Sequence, residues 1–139
     1  MALRFGGRAH VRNALLALGV GQTLGVDAGD AVEALSRLAP PKMRAQVLRL
    51  ASLTLLADCY NANPASMAAA LDTLLAMPRG GGRVAVVGSM LELGHESARL
   101  HREVARGLAG AGLDLIVATG LFVEAFEPLA ADLGERLVC

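Results

Sequence analysis

Arg83-Val84-Ala85-Val86-Val87-Gly88, a charged amphipathic stretch over about 96–110, and then Leu113-Asp114-Leu115-Ile116-Val117-Ala118 form the passage that decides the fold. Each end is a short apolar run closed by glycine or a polar residue, as a buried strand requires. The stretch between them has helical spacing. Strand, helix and strand in that order imply a parallel sheet with right-handed crossovers, hence an α/β fold. Downstream, Leu121–Leu133 reads as a helix and Arg136–Cys139 as the start of a further strand. The sequence stops inside that strand, so truncation of the domain is expected.

Working back from Arg83, the turn Arg79-Gly80-Gly81-Gly82 follows Pro78, which ends a helix whose inward face is Met67, Leu71 and Leu74. That helix starts at Asn63-Pro64: asparagine caps, and proline occupies the first position, where a missing amide does no harm. Ala45–Leu50 and Leu53–Asp58 are extended and, with only Ala51-Ser52 between them, can form a short hairpin. Earlier still, Val11, Leu15, Leu18 and Gln22 fall at helical spacing, predicting a helix over 10–24 ended by Gly25. Asp27 can cap a second helix over 28–38, with Ala31, Leu35 and Leu38 on one face. Pro40-Pro41 stops it and marks the domain boundary.

Composition narrows the function. Hydrophobic residues make up 54% of the 139 residues, which excludes disorder, and aromatic residues only 3%, so the core is built from Ala, Leu and Val. The formal net charge of zero gives no electrostatic case for a nucleic-acid partner. Cys59 and Cys139 lie far apart in neither disulfide nor metal-ligand spacing, and a reducing cytoplasm is the expected location. The charge-free stretch Asn13–Val26 falls short of the roughly 20 apolar residues of a membrane span. Arg4, Arg8 and Arg12 before Ala14–Leu18 imitate a signal peptide, but no small-x-small cleavage site comes after them.

In an open parallel sheet, ligands bind outside the carboxyl ends of the strands. Three such ends can be read: Asp58–Asn63, Gly88–Gly94 and Thr119-Gly120. Asp58 closes an apolar strand, where it can accept both hydroxyls of a ribose or cap nearby amides; position alone does not choose. In the loop Tyr60–Asn63, Tyr60, Asn61 and Asn63 precede a helix N-terminus that favours anions. Composition alone favours capping by Asn63 and turn chemistry by Asn61. Gly88 and Gly94 do not have dinucleotide-fingerprint spacing. Glu92, His95, Glu96 and His101 do not match a zinc motif, and His101 sits among solvated charges, so a surface or capping role is expected and no metal site. Arg44 can reach phosphate with its planar fork, although a solvated arginine is the simpler reading. Neither a Ser-His-Asp pattern nor a G-x-x-x-x-G-K-[ST] phosphate loop occurs in the sequence.

Asp58-Cys59-Tyr60-Asn61-Ala62-Asn63-Pro64-Ala65-Ser66-Met67 resembles the D-x-Y-N-A-N-P-x-S-M signature found in the Mur ligase family, among the ligases that join D-alanyl-D-alanine to UDP-N-acetylmuramoyl-tripeptide. Gly88-Ser89-Met90-Leu91-Glu92-Leu93-Gly94 resembles that family's G-D-M-L-E-L-G at the expected distance, and Ser97 and Leu100–Val104 fit the stretch after it. Gly7–Leu15 is similar to the G-R-H-N-x-x-N-A-L segment near the end of the ATPase domain. The resemblance covers nearly the whole chain in order, and the two later motifs together are specific. The diaminopimelate-adding ligases carry a D-N-P-R type motif that is absent here. A non-catalytic nucleotide-binding or interaction module remains the alternative of a different class.

The resemblance implies an ATP-dependent amide ligase of peptidoglycan biosynthesis. ATP phosphorylates the peptide carboxylate, the incoming amine attacks the acyl phosphate, and magnesium (Mg2+) with cationic side chains stabilises the transferring phosphoryl group. It implies that residues 1–41 end the central ATPase domain. Residues 42–139 would be a Rossmann-like C-terminal domain, truncated at its last strand. It matches Asn13 to an adenine contact, Arg44 to an arginine reaching the ATP phosphates and Asp58 to the ribose aspartate. The Tyr60–Pro64 loop would lie between nucleotide and dipeptide. The Walker loop, magnesium ligands and UDP-binding domain would precede Met1 and a K-G-S segment would follow Cys139, so the chain alone is expected to be inactive. Four positions depart from the pattern: Ala9 and His10 stand for His and Asn, Met43 for the glycine before the arginine, and Ser89 for the aspartate of the second loop.

Overall fold

The structure, a computed structural model, describes residues 8–39 and 42–139, with only the backbone of Arg8 and Ala9. The Pro40-Pro41 boundary, the signal-like Arg4 and the start of the Gly7–Leu15 segment lie outside the described residues, as does the side chain of Ala9. The chain divides into two compact units, Met1–Tyr60 and Asn61–Cys139.

The first unit holds a helical pair and a hairpin. Helix α1 (Arg8–Thr23) ends at Gly25, whose φ of +78° suits glycine. Asp27 caps α2 (Ala28–Arg37) by accepting from the Gly29 and Asp30 amides, as its sequence position predicts. The apolar stripe of α1 is less buried than its spacing suggests: Ala14 is buried, whereas Val11 and Leu15 are exposed. Strands β1 (Gln46–Leu50) and β2 (Leu53–Ala57) pair antiparallel, with Leu50 opposite Leu53. A two-residue link permits no other pairing, since a parallel neighbour needs a crossover of a dozen or more residues. The expectation that Asp58 lies at a carboxyl end of the parallel sheet is therefore corrected: the strand before it belongs to a separate two-stranded sheet.

The second unit is the α/β domain. Its elements are α3 (Pro64–Ala76), β3 (Val84–Val87), α4 (Ser97–Ala109), β4 (Leu115–Ala118), α5 (Leu121–Phe126), α6 (Ala130–Leu133) and β5 (Leu137–Val138). Strands β3, β4 and β5 form a parallel sheet in that order, with Val87 opposite Ala118 and Ile116 opposite Leu137. Asn63 and Ser66 close a reciprocal capping box at the start of α3, with Pro64 in the first turn. The expected single helix over 121–133 is broken, because Pro128 has no amide to continue it; a 3₁₀ turn, Glu127–Leu129, separates α5 from α6.

The core lies on one face of this sheet. Val87, Ile116 and Ala118 meet Met90, Phe122 and Phe126, with Met67, Leu71 and Leu74 of α3 packed around them. Full burial of one such large side chain contributes about 1.5–3 kcal/mol, so two of the chain's few phenylalanines anchor the domain. Across the sheet, Val84, Val86 and Val138 are exposed. At the amino end, Asp114 receives the Arg83 amide at 2.6 Å and the Arg79 guanidinium at 2.8 and 2.9 Å. Arg83 itself donates to the carbonyls of Leu75 and Met77 at the end of α3. That cluster fastens the glycine-rich turn to both strands.

Candidate functional site

Three of the six candidate residues come together at the open end of the hairpin. Arg44 lies with its guanidinium carbon 4.5 Å from the centre of the Tyr60 ring, a cation–π stack that leaves Tyr60 68% exposed. The Tyr60 amide donates to the Met43 carbonyl at 3.1 Å. Half-buried Asp58 accepts the Ala45 amide on Oδ1 at 3.1 Å, and its Oδ2 makes no hydrogen bond among the described residues. Asp58 thus does cap a nearby amide and keeps one carboxylate oxygen for another donor. Gln46 accepts the Met43 amide at 3.2 Å, so the turn before β1 is held from both strands.

The backbone explains why the turn needs so many ties. Met43 and Ala45 both sit in the left-handed region, at φ +56° and +48°, with Arg44 between them. Such residues persist only where the surroundings over-determine them. The sequence carries a signal for this at Met43, which stands where the resembling ligases have glycine. Ala45 carries none.

Each of the other three candidates is placed within its own unit. Asn13 is exposed on α1, and His10, one turn earlier, is half-buried. Asn61 and Asn63 belong to the second unit. Asn61 accepts the Ala62 amide at 2.9 Å, and the carboxamide oxygen of Asn63 is taken by the Ser66 amide. Both side chains have the local roles that composition favours for them.

The Gly88–Gly94 segment leaves β3 and is pinned at its start. Ser89 accepts the Leu121 amide, the first of α5, at 2.9 Å, so the residue replacing aspartate still supplies a helix-capping oxygen. The expectation of a surface place for His101 is corrected. It is 1% exposed and its Nε2 accepts the Met90 amide at 2.9 Å. The charges that suggest a solvated helix, such as Arg99 between Glu96 and Glu103, lie on the other side of α4. The pattern that reveals this is helical: His101 is one turn before Ala105 and two turns before Leu108, and both are buried. Among the described residues, no group of three or more His, Cys, Asp or Glu can hold a metal ion, and no helix is long and apolar enough to cross a membrane.

A parallel strand–helix sheet, preceded in the chain by a hairpin that presents an arginine, an aspartate and a tyrosine, defines an α/β protein. Residues 43–137 match the family described as Mur ligase, glutamate ligase domain, and the chain belongs to that family. It is 40% identical over 116 residues to the UDP-N-acetylmuramoyl-tripeptide--D-alanyl-D-alanine ligase of Escherichia coli (strain K12), an alignment covering 82% of this chain and 25% of that protein. Crystal structure I of MurF from Acinetobacter baumannii superposes with a TM-score of 0.84 at 37% identity, over 97% of this chain and 28% of that one. The MurF ligase of Thermotoga maritima in complex with ADP superposes with a TM-score of 0.71 at 25% identity, over 96% of this chain and 34% of that one. The chain spans about a quarter of the length of the curated relatives it matches.

Proposed function

We propose that this chain is part of an ATP-dependent ligase that joins D-alanyl-D-alanine to UDP-N-acetylmuramoyl-tripeptide, and that Arg44, Asp58 and Tyr60 are its contribution to the nucleotide site. The observation that carries the reading is the convergence of these three residues on one strained, multiply tied turn. Each has a role suited to a nucleotide. The Arg44 guanidinium offers a forked donor set to phosphate oxygens. The second oxygen of Asp58 accepts from a ribose hydroxyl, and the exposed face of Tyr60 offers an apolar surface beside them. Asn13 would contact adenine, and Asn61 and Asn63 would border the dipeptide. The ADP named with the Thermotoga maritima relative supports a nucleotide as ligand. Residues 1–41 would close the central ATPase domain and 42–139 belong to the C-terminal domain.

In this scheme the chain binds and orients, and the phosphoryl chemistry draws on groups it does not contain. The magnesium ligands would lie in other parts of the ligase; among the described residues no group of three or more His, Cys, Asp or Glu could hold a metal ion. The isolated chain would accordingly release no phosphate in response to the two substrates.

The test is Asp58→Asn in a full-length ligase carrying this segment. Asparagine keeps Oδ1 for the Ala45 amide and exchanges the anionic oxygen for a donor. A charge-assisted hydrogen bond contributes roughly 1.5–3 kcal/mol, so ATP affinity should fall about tenfold or more. The unliganded melting temperature should barely move. Unchanged ATP affinity would remove Asp58 from the site.

A further inference from the structure

We propose that His101 is the positioning residue of the Gly88–Gly94 loop: a neutral imidazole that holds the Met90 amide on Nε2 and releases it on protonation. The inference rests on this chain alone and not on the ligase reading.

The geometry assigns the tautomer. The Met90 amide can only donate, so Nε2 at 2.9 Å must accept. The proton then belongs to Nδ1, which lies 2.7 Å from the Ser97 carbonyl and donates to it. The ring is further fixed by an edge contact with Phe122 of α5, centroids 4.8 Å apart. His101 thus joins three parts of the chain: its own helix, the loop leaving β3, and α5. It is the one buried polar or charged side chain among the described residues.

The loop held by the imidazole has a fixed root and a projecting tip. Met90 is buried to 1% exposure, whereas Leu91 and Glu92 stand in solvent. Glu92 is held at φ +62°, a conformation that side-chain-bearing residues adopt only when their neighbours impose it. The Met90 amide hydrogen bond fixes the chain two residues before Glu92, and Leu93, packed against the core, holds it on the other side. Protonation would turn Nε2 from acceptor to donor and set two donors against each other in a buried place, which costs the bond and more.

Few charges face the ring. Arg102 of α4 and Glu124 of α5 line the same cavity of about 220 Å³ as His101. The exposed pair His95 and Glu96 lies on the turn before α4. The loop side presents the Met90 amide, and β3 and β4 present apolar side chains.

Nuclear magnetic resonance on the 139-residue chain tests this directly. Imidazole nitrogen shifts should report the Nδ1–H tautomer at neutral pH. On acidification, protonation of His101 and loss of hydrogen-exchange protection at the Met90 amide should share one midpoint, while the β4 amides stay protected. His101→Phe fills the space and keeps the ring contact but removes the acceptor, so Met90 protection should fall about tenfold relative to β4. His101→Gln, whose amide oxygen can reach the place of Nε2, should restore most of it. An Nε2–H tautomer, undiminished Met90 protection in His101→Phe, or a parallel loss at Met90 and β4 would each overturn the proposal. Should His101→Phe fail to fold, the tautomer and the shared midpoint in the unsubstituted chain decide.

Discussion

At Met43 the backbone sits at φ +56° and at Ala45 at +48°, so Arg44 is presented from between two residues in a region L side chains rarely adopt. The left-handed conformation costs an ordinary residue roughly 1–2 kcal/mol. Glycine escapes that cost but loses about 0.5–1 kcal/mol in the unfolded chain's freedom. Met43 is nearly half exposed and has little packing to lose. Met43→Gly should therefore stabilise the first unit by about 0.5 kcal/mol, read as a higher urea midpoint for the hairpin amides. A lower midpoint would show that the Met43 side chain outweighs the strain. Asp58 illustrates what the sequence can and cannot say at this scale. Its position after an apolar strand raises both capping and ligand binding, and the cap is present. The stacking of Arg44 on Tyr60 is not legible, because it depends on a turn whose two left-handed residues are not glycines.

The entrance to α5 shows how an element depends on two residues from different loops. Gly120 has φ +58°, and a Cβ built there would overlap the Ser89 hydroxyl. Ser89 cannot withdraw freely, because it accepts the Leu121 amide. Gly120→Ala should cost about 1–3 kcal/mol from backbone strain alone, and Ser89→Ala about 1 kcal/mol as a lost cap. The double variant should cost less than the two together, since removing the hydroxyl relieves the overlap; strict additivity would sink this account. At the opposite end of the sheet, the Arg83 amide first and the Arg79 guanidinium second hold the Asp114 carboxyl below its ordinary value of 3.8. A lowered folded value means the stabilisation is present above 3.8 and is lost as pH falls through the still lower folded value. Asp114→Asn should thus be less stable at neutral pH, with the gap to the unsubstituted chain closing below about pH 3.8. A gap independent of pH would assign the effect to geometry instead. Most elements are legible, for local reasons: Asp27 and Asn63 cap helices, and Ala51-Ser52 can only turn a hairpin. The break at Pro128 escapes a reading by periodicity because the apolar spacing continues across it. The burial of His101 escapes it because its sequence neighbours are charged while its helical neighbours are buried.

Across the whole molecule, burial is divided unevenly between the two units. All eleven residues of the buried core cluster, from Val87 to Leu133, belong to Asn61–Cys139. Among the described residues of Met1–Tyr60, Ala14 and Ala57 are the only buried hydrophobic ones. Alanine contributes little apolar area, and backbone ordering costs about 1–2 kcal/mol per residue whichever unit it occurs in. Helices as short as α2 are marginal without packing. The first unit should therefore open locally at much lower free energy than the second. Hydrogen exchange on the intact chain is the suitable measurement, because with no tryptophan and one tyrosine the chain has little fluorescence to follow. The amides of α1 and α2 should exchange by local opening, nearly insensitive to low denaturant. Those of α4 and β4 should exchange only through opening of the whole α/β domain, with a steep dependence on denaturant that reflects the large area exposed. The hairpin should fall between, since its strands are paired but flank little core. Equal protection and equal denaturant dependence in α1 and β4 would mean that the two units unfold as one, and that the sparse burial of the first is no guide to its stability.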